Sequence, residues 1–450
     1  MNNHTVIEKL TALVQQESKP YSSKLHFIST AANHSKVFIP NRSQFVSVSE
    51  EVEQKLKQLV DTESSGIDEV LATLGIDVLP AITDTPLETP PTHALSLAIS
   101  QKCNMGCMYC YAEQGSFGGP SKSMPLETAL ASIDMLIDTK KAGERVQLTF
   151  LGGEPLVNRG DIVKATEYAY KKAQERQVKI GFSITTNGTL LQEQDMYFFE
   201  KYGFAVTISI DGDKNAHDAL RPMKGGKGSY DTIIQNVIPF LTHQKNMQVS
   251  ARVTITPSNL NLRSTLNELI ALGFHSVGFS PLLNSSNHQG EVQAEDLQLL
   301  LKEMIACGLD FEENLIKGKR FPFLNMVNAF KEIAKQTHRP YPCGAGAGYM
   351  GVSADGELAA CHRFVNEDRG ALGTIAEGID TIKQNNWLAE RHVHQQTPCT
   401  QCWARYLCGG GCHHEVLDKG RPACDYIRGW LYYTLQAYDR INRLVPNWMN

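Results

Sequence analysis

The chain has 450 residues, 42% hydrophobic and 20% charged, with no low-complexity tract, a composition that fits a globular protein of two or three domains. Its 43 basic and 48 acidic side chains leave a net charge of −5, so no global field draws it to nucleic acid or an anionic membrane. No run of eighteen apolar residues occurs, and the opening MNNHTVIEKLTALVQQ lacks the basic, apolar, small-residue succession of a signal peptide, so the expected location is cytoplasmic. In a reducing compartment the eleven cysteines read as metal ligands or redox groups rather than disulfides. Cys307 stands alone in LKEMIACGLDF and reads as a small buried hydrophobe on an amphipathic helix.

Residues 1–92 predict a small α+β unit. A helix (TVIEKLTALVQQ) precedes three strand-like runs, KLHFIST, SKVFIPN and QFVSVS, and two helical runs follow, EEVEQKLKQLVD and GIDEVLATLGI,. VLPAITDTPLETPPTH, with four prolines and no periodicity, reads as a linker. Over residues 93–330 strands and helices alternate. The strand runs are ALSLAIS, RVQLTFLG, VKIGFSITTN, AVTISIDG, QVSARVTITP and SVGFSPLL. Between them lie helices such as PLETALASIDMLIDTKK, whose Leu130, Ile133, Leu136 and Ile137 share a face,. Six such units predict a parallel sheet, either doubly wound or an incomplete barrel, with its site at the strand C-termini. Over residues 331–450 the alternation stops, and a loop-rich, cysteine-rich domain is expected to need a metal staple.

The loop after the first of these strands, SQKCNMGCMYCYAEQG, carries Cys103, Cys107 and Cys110 as C-x3-C-x2-C. Three thiols this close fit half of a zinc site, or a four-iron cluster with one iron left without a protein ligand. The next cysteine is Cys307, far along the chain. An open coordination position distinguishes a catalytic metal from a structural one. GGEPL ends the second strand, TNGT the third and SIDG the fourth, so polar and glycine-rich loops converge on one mouth.

This arrangement resembles the radical S-adenosylmethionine (radical SAM) superfamily. The resemblance implies a partial (β/α)6 TIM-like barrel, flanked by an N-terminal winged-helix-like α+β domain and a C-terminal loop-rich iron–sulfur domain. It implies a cluster on Cys103, Cys107 and Cys110 whose open iron chelates the cofactor and whose electron cleaves the sulfonium, giving a 5′-deoxyadenosyl radical. It also implies that Gly152, Gly153 and Glu154 meet the methionine amino group, that Tyr109 packs near adenine, and that Ser209 and Arg221 bind the cofactor.

The remaining cysteines read C-x12-G-x4-C, then C-x2-C-x5-C-x3-C, then C: Cys343 and Cys361, then Cys399, Cys402, Cys408 and Cys412, then Cys424. This is similar to the SPASM extension of peptide- and protein-modifying radical SAM enzymes, which holds two auxiliary clusters and so brings the total to three 4Fe–4S clusters. By that resemblance Cys399, Cys402, Cys408 and Cys424 ligate the outer cluster, and Cys343, Cys361 and Cys412 the inner one. The inner cluster then takes a non-cysteine ligand (KQTHRPYPC offers His338) or keeps an open iron.

Anaerobic sulfatase maturases usually carry an aspartate directly after the cysteine that here is Cys361; this chain has His362, which also reads as a satisfied loop histidine. The texture around it is more like maturases that cross-link side chains in ribosomally made peptides, and the N-terminal unit resembles the element that binds a precursor's leader by strand addition. The expected function is that of a peptide cross-linking maturase, with a precursor peptide and a flavodoxin- or ferredoxin-type electron donor as partners, and neither nucleic acid nor membrane. The alternatives are a protein maturase of the sulfatase or quinohemoprotein amine dehydrogenase type and, from another class, a zinc-stapled scaffold.

Overall fold

The computed structural model describes residues 3–19, 24–29, 35–61, 66–76, 82–446 and 448; residues 78–81 of the expected linker lie outside them. The chain divides into two compact units, one of Met1–Pro86, Gln293–Cys343 and Ala389–Asn450, the other of Leu87–Val292 and Gly344–Leu388.

In the first unit, β1 (His26–Ile28), β2 (Ser35–Ile39) and β3 (Gln44–Val48) form an antiparallel sheet with β2 central. Val37, Ile39 and Val48 share one core with Leu25 and with Leu56, Ile67, Val70 and Leu71. The last four come from helices Glu50–Asp61 and Gly66–Thr73. The expected order of helix, three strands and two helices is what the chain adopts. Two long helices, Ala294–Ile316 and Cys424–Leu444, belong to the same unit, and Cys307 is fully buried on the first.

The second of these helices stands within the region expected to be loop-rich. It runs 21 residues and buries Trp430, Tyr432, Tyr433, Leu435, Ala437 and Ile441. Much of its apolar surface is aromatic and half-polar, so a search for an aliphatic stripe passes over it. Gly308 makes room for Tyr433, since a Cβ there would lie 2.4 Å from the ring. Buried Glu312 accepts from Tyr433 Oη at 2.7 Å and from Arg440 Nε and Nη2 at 2.8 Å each.

In the second unit, β4 (Ala94–Ser100), β5 (Arg145–Gly152), β6 (Lys179–Thr186), β7 (Ala205–Ser209), β8 (Gln248–Ile255) and β9 (Ser276–Pro281) lie side by side in sequence order, all parallel. A doubly wound sheet reverses its strand order at a switch point; this one does not, and the architecture is the partial barrel. Crossover helix Leu126–Asp138 buries Ala129, Ser132, Ile133, Leu136 and Ile137. Leu130 sits half-buried at the edge of that face, and Ser132 is tolerated because its hydroxyl donates to the Thr128 carbonyl at 2.7 Å.

The sheet then continues where loops were expected. β10 (Tyr349–Val352) adds parallel to β4 with Gly351 opposite Ser96. β11 (Glu357–Ala359), β12 (Ala371–Thr374) and β13 (Gly378–Ile379) follow antiparallel. The sheet order is β13-β12-β11-β10-β4-β5-β6-β7-β8-β9. Strands of two to four residues are too short to show a two-residue period. Among the described residues no helix is long and apolar enough to cross a membrane.

Glu312→Ala leaves Arg440 and Tyr433 without their shared acceptor, and we expect a loss of about 2–4 kcal/mol, read as a lower urea midpoint at unchanged slope; an unchanged midpoint would contradict this account of the helix pair.

Candidate functional site

The three-cysteine loop leaves β4 and is clamped from three sides. Beneath it, Gly153 N donates to Ser100 O and Glu154 N to Lys102 O, both at 2.8 Å. The approach is so close that a Cβ on Gly152 (φ +153°) would lie 2.1 Å from Ser100 O, and one on Gly153 2.5 Å from Lys102 O. Only glycine fits at either position. On a second side, Gly106 N donates to Pro222 O at 2.8 Å and Lys224 N to Asn104 O at 3.1 Å. On the third, Ser286 Oγ and Asn287 Nδ2, from the loop after β9, donate to the carbonyls of Cys110 (2.9 Å) and Met108 (2.8 Å).

Cys103, Cys107 and Cys110 are partly exposed free thiols. Cys107 and Cys110 line a cavity of about 240 Å³ with Glu113, Gln114, Ser286 and Asn287. Burial pushes the Cys103 thiol up to about 11, and the neighbouring Cys107 and Cys110 add to the shift.

Glu154 is fully buried. Its Oε1 accepts from Leu156 N (3.0 Å) and Thr186 Oγ1 (2.7 Å), and its Oε2 from Asn187 N (2.7 Å). The carboxylate thus ties β5 to the end of β6. Asn187 in turn reaches back to the cysteine loop, donating to Asn104 Oδ1 at 3.0 Å and contacting Cys103 Sγ at 3.9 Å.

Tyr109 and Arg221 meet at Asp211, a residue the sequence reading passed over. Tyr109 Oη donates to the Asp211 carboxylate, Arg221 Nη1 donates to Tyr109 Oη at 2.6 Å, and Arg221 Nη1 lies 3.9 Å from Asp211 Oδ2. Asp211 Oδ1 also accepts from Thr254 N at 2.8 Å. Burial raises the Asp211 pKa against the pull of Arg221. Burial opposes the charge of Arg221 too, yet Cys107, Tyr109 and Asp211 hold its pKa above the usual range. Arg221 Nε is buried with no partner among the described residues, which suits a further acceptor. Ser209, the last residue of β7, is half-buried opposite Arg252.

His217 sets this group from behind. Asp211 N donates to its Nδ1 at 3.1 Å, so the ring's proton is on Nε2, which donates to Ser229 Oγ at 3.0 Å. Ser229 Oγ passes its own proton to the Arg221 carbonyl at 2.6 Å. The spacing of His217 and Arg221, one helical turn apart on Lys214–Leu220 and its C-cap, was the available sequence signal.

His362, after Cys361, places Nδ1 2.7 Å from Tyr349 Oη, which is 2.7 Å from Ser96 Oγ; its ring meets Tyr111 edge-on at 5.8 Å. It is indeed a histidine satisfied by its neighbours. In the other unit, Cys399, Cys402, Cys408 and Cys424 are brought together. Burial pushes the Cys399 thiol up to about 11, Arg421 opposes that shift, and Cys408, Cys402 and Cys424 reinforce it. Arg428 adjoins Cys402. Cys343 and Cys412 lie in this unit and Cys361 in the barrel unit. Among the described residues no three Cys, His, Asp or Glu groups stand at the spacing of a single metal ion.

The Radical SAM superfamily model matches residues 97–258. A cysteine-type anaerobic sulfatase-maturating enzyme of Clostridium novyi is 32% identical over 338 residues, 70% of this chain and 86% of the relative. The chain belongs to the radical SAM superfamily. A serine-type anaerobic sulfatase-maturating enzyme of Klebsiella aerogenes is 25% identical over 363 residues, 76% of this chain and 85% of the relative. The radical SAM cyclopropyl synthase TigE of Paramaledivibacter caminithermalis is 23% identical over 362 residues, 74% of this chain and 72% of the relative. Among solved structures, anSMEcpe with bound AdoMet superposes with a TM-score of 0.65 at 19% identity, over 79% of this chain and 99% of that one. Streptococcus suis SuiB bound to S-adenosylmethionine gives 0.52 at 13%, over 90% and 98%. The fold is therefore the radical SAM fold and the chain is a radical SAM maturase. Soft thiol donors grouped around an open cavity, beside an arginine with a spare buried donor, fit a thiolate-held cluster and a carboxylate-bearing cofactor.

One consequence concerns acid. His217 has its pKa held down to about 3 by burial and, secondarily, by Arg221, so the native state keeps it neutral while the unfolded chain protonates near 6.5. Its contribution to stability is complete above that pH and falls by roughly 1.4 kcal/mol per unit as pH drops toward 3. His217→Gln is expected to flatten that share of the slope in urea unfolding measured stepwise from pH 7 to 5; an unaltered slope would contradict the assignment.

Proposed function

We propose that this radical SAM enzyme forms cross-links between side chains of a ribosomally synthesised precursor peptide, recognised through its leader by the N-terminal unit. The observation that carries this reading is the antiparallel sheet β1-β2-β3, whose outer strand β3 pairs on one side only among the described residues. A strand edge of five residues is a template for an added peptide strand. About a fifth of this chain is also additional to the anSMEcpe structure, which is itself matched almost end to end. Residues 1–92 would act as the leader-recognition domain, 93–330 as the radical domain and 331–450 as the auxiliary-cluster domain.

In this reading Cys103, Cys107 and Cys110 hold the cluster that, when bound, supplies the electron for cleaving S-adenosylmethionine. Gly152 and Gly153 bring backbone against that loop, Glu154 fixes it to β6, and Arg221, Tyr109 and Ser209 receive the cofactor. Arg221 offers its unpartnered Nε to the carboxylate. Cys399, Cys402, Cys408 and Cys424 hold an auxiliary cluster beside Arg421 and Arg428, whose charges offset the thiolates, and Cys343, Cys361 and Cys412 are the candidates for another. A flavodoxin- or ferredoxin-type protein would supply electrons in the cytoplasm.

A second reading, maturation of a sulfatase, is favoured by the Clostridium novyi relative. The test is to incubate anaerobically reconstituted enzyme with S-adenosylmethionine, a reductant and the peptide encoded by a short reading frame beside the gene. Cross-linking predicts a loss of two hydrogens per bond by mass spectrometry, with a sulfatase-derived cysteine peptide left unchanged; the reverse pattern favours the second reading. Replacing Cys103, Cys107 and Cys110 together with alanine should abolish 5′-deoxyadenosine release, whereas Cys399→Ala should lower iron content and retain part of it. Undiminished release from the triple variant would refute the ligand assignment.

A further inference from the structure

The turn after β6 is joined to the three-cysteine loop by a closed ring of side-chain hydrogen bonds. Asn187 Nδ2 donates to Asn104 Oδ1 at 3.0 Å, Asn104 Nδ2 donates to Thr189 Oγ1 at 2.8 Å, and Thr189 Oγ1 donates to Asn187 Oδ1 at 2.6 Å. Each group gives one proton and receives one, so the ring has a sense. That sense is fixed by the main chain: Thr189 N also donates to Asn187 Oδ1, at 2.9 Å, and only an acceptor can meet it. The Asn187 amide therefore cannot turn over, and its Nδ2 is committed to the side of Asn104 and Cys103.

The backbone of the turn is held as firmly. Asn187 N donates to Glu154 Oε2 at 2.7 Å, and Asn236 Nδ2 donates to the carbonyls of Gly188 (3.2 Å) and Thr189 (3.0 Å). Asn187 and Thr189 are 5% and 7% exposed, so bulk water has little access to the ring. A primary amide carries two N–H groups. One of those on Asn187 enters the ring, and the other is left for Cys103 Sγ, with N and S 3.9 Å apart. Met105 N donates to the same sulfur at 3.4 Å. Glu154 and the thiols of Cys107 and Cys110 act on Cys103 in the opposite sense, disfavouring charge on its sulfur.

We propose that Asn187 raises the reduction potential of the cluster held by Cys103, Cys107 and Cys110, by donating its second N–H to the Cys103 sulfur. This rests on the assignment of those three cysteines as ligands. An incoming electron increases the negative charge that the sulfurs share, so a donor aimed at one of them stabilises the reduced form more than the oxidised. Asn187 is a positioning residue: it transfers neither a proton nor an electron.

The test uses the full chain, reconstituted anaerobically with iron and sulfide and poised where the wild-type cluster is half reduced. It follows the electron paramagnetic resonance signal that changes when S-adenosylmethionine is added, which separates this cluster from the auxiliary ones. Asn187→Leu, of similar shape, should lower the ratio of reduced to oxidised cluster about tenfold, equivalent to about 59 mV for one electron, at unchanged iron content. Thr189→Val, which opens the ring but keeps Asn187, should lower it about threefold. A ratio in Asn187→Leu no lower than the wild type's, at full iron content, overturns the proposal and leaves the ligand assignment standing. Where Asn187→Leu loses the signal altogether, Thr189→Val decides: a lowered ratio supports the proposal, whereas an unchanged ratio, or loss of the signal there too, overturns it and leaves the ring a folding role. A wild type with iron but without any signal sensitive to S-adenosylmethionine overturns both.

Discussion

The site depends on two strands approaching at their ends more closely than side chains allow. Gly152 and Gly153 place the end of β5 against Ser100 and Lys102 at distances that a single methyl group would violate, and the amides of Gly153 and Glu154 convert that approach into hydrogen bonds. The three-cysteine loop begins at this contact. Gly115, whose Cβ would meet Gly153 at 2.8 Å, lets the same loop fold back over it. The glycines are thus a steric requirement of the loop's seat before they are anything to a ligand.

From that seat, charge organises the rest. Asp211, Arg221 and Tyr109 are all buried, and a buried guanidinium needs a compensating anion close by. Asp211 supplies it, and His217 and Ser229 hold the two main-chain segments from which Asp211 and Arg221 project. The cysteine loop is coupled to the same group, since Cys107 contributes to the field at Arg221. In the other unit Arg421 and Arg428 stand beside four thiols in an analogous arrangement.

The six strands of the barrel were legible in the sequence because each is a five- to eight-residue run with buried outward positions, and ALSLAIS and RVQLTFLG coincide with β4 and β5. The cysteine and GGE motifs were legible because their spacing is local. What escaped is of two kinds. Asp211 pairs with a tyrosine 102 residues earlier, and only its place two residues beyond Ser209, on the same side of an extended segment, hints at a shared role. Strands β10 to β13 and the helix Cys424–Leu444 escaped because the first are too short for periodicity and the second carries its apolar surface on aromatic rings.

The sheet ends at β9 on one side and at β13 on the other, growing outward from β4 instead of curling round to meet itself. A closed ring packs the inward side chains of all its strands into one core. Among the described residues the sheet does not close, and the inward hydroxyls of Thr149, Ser183 and Ser250 are half-buried instead of being packed into such a core.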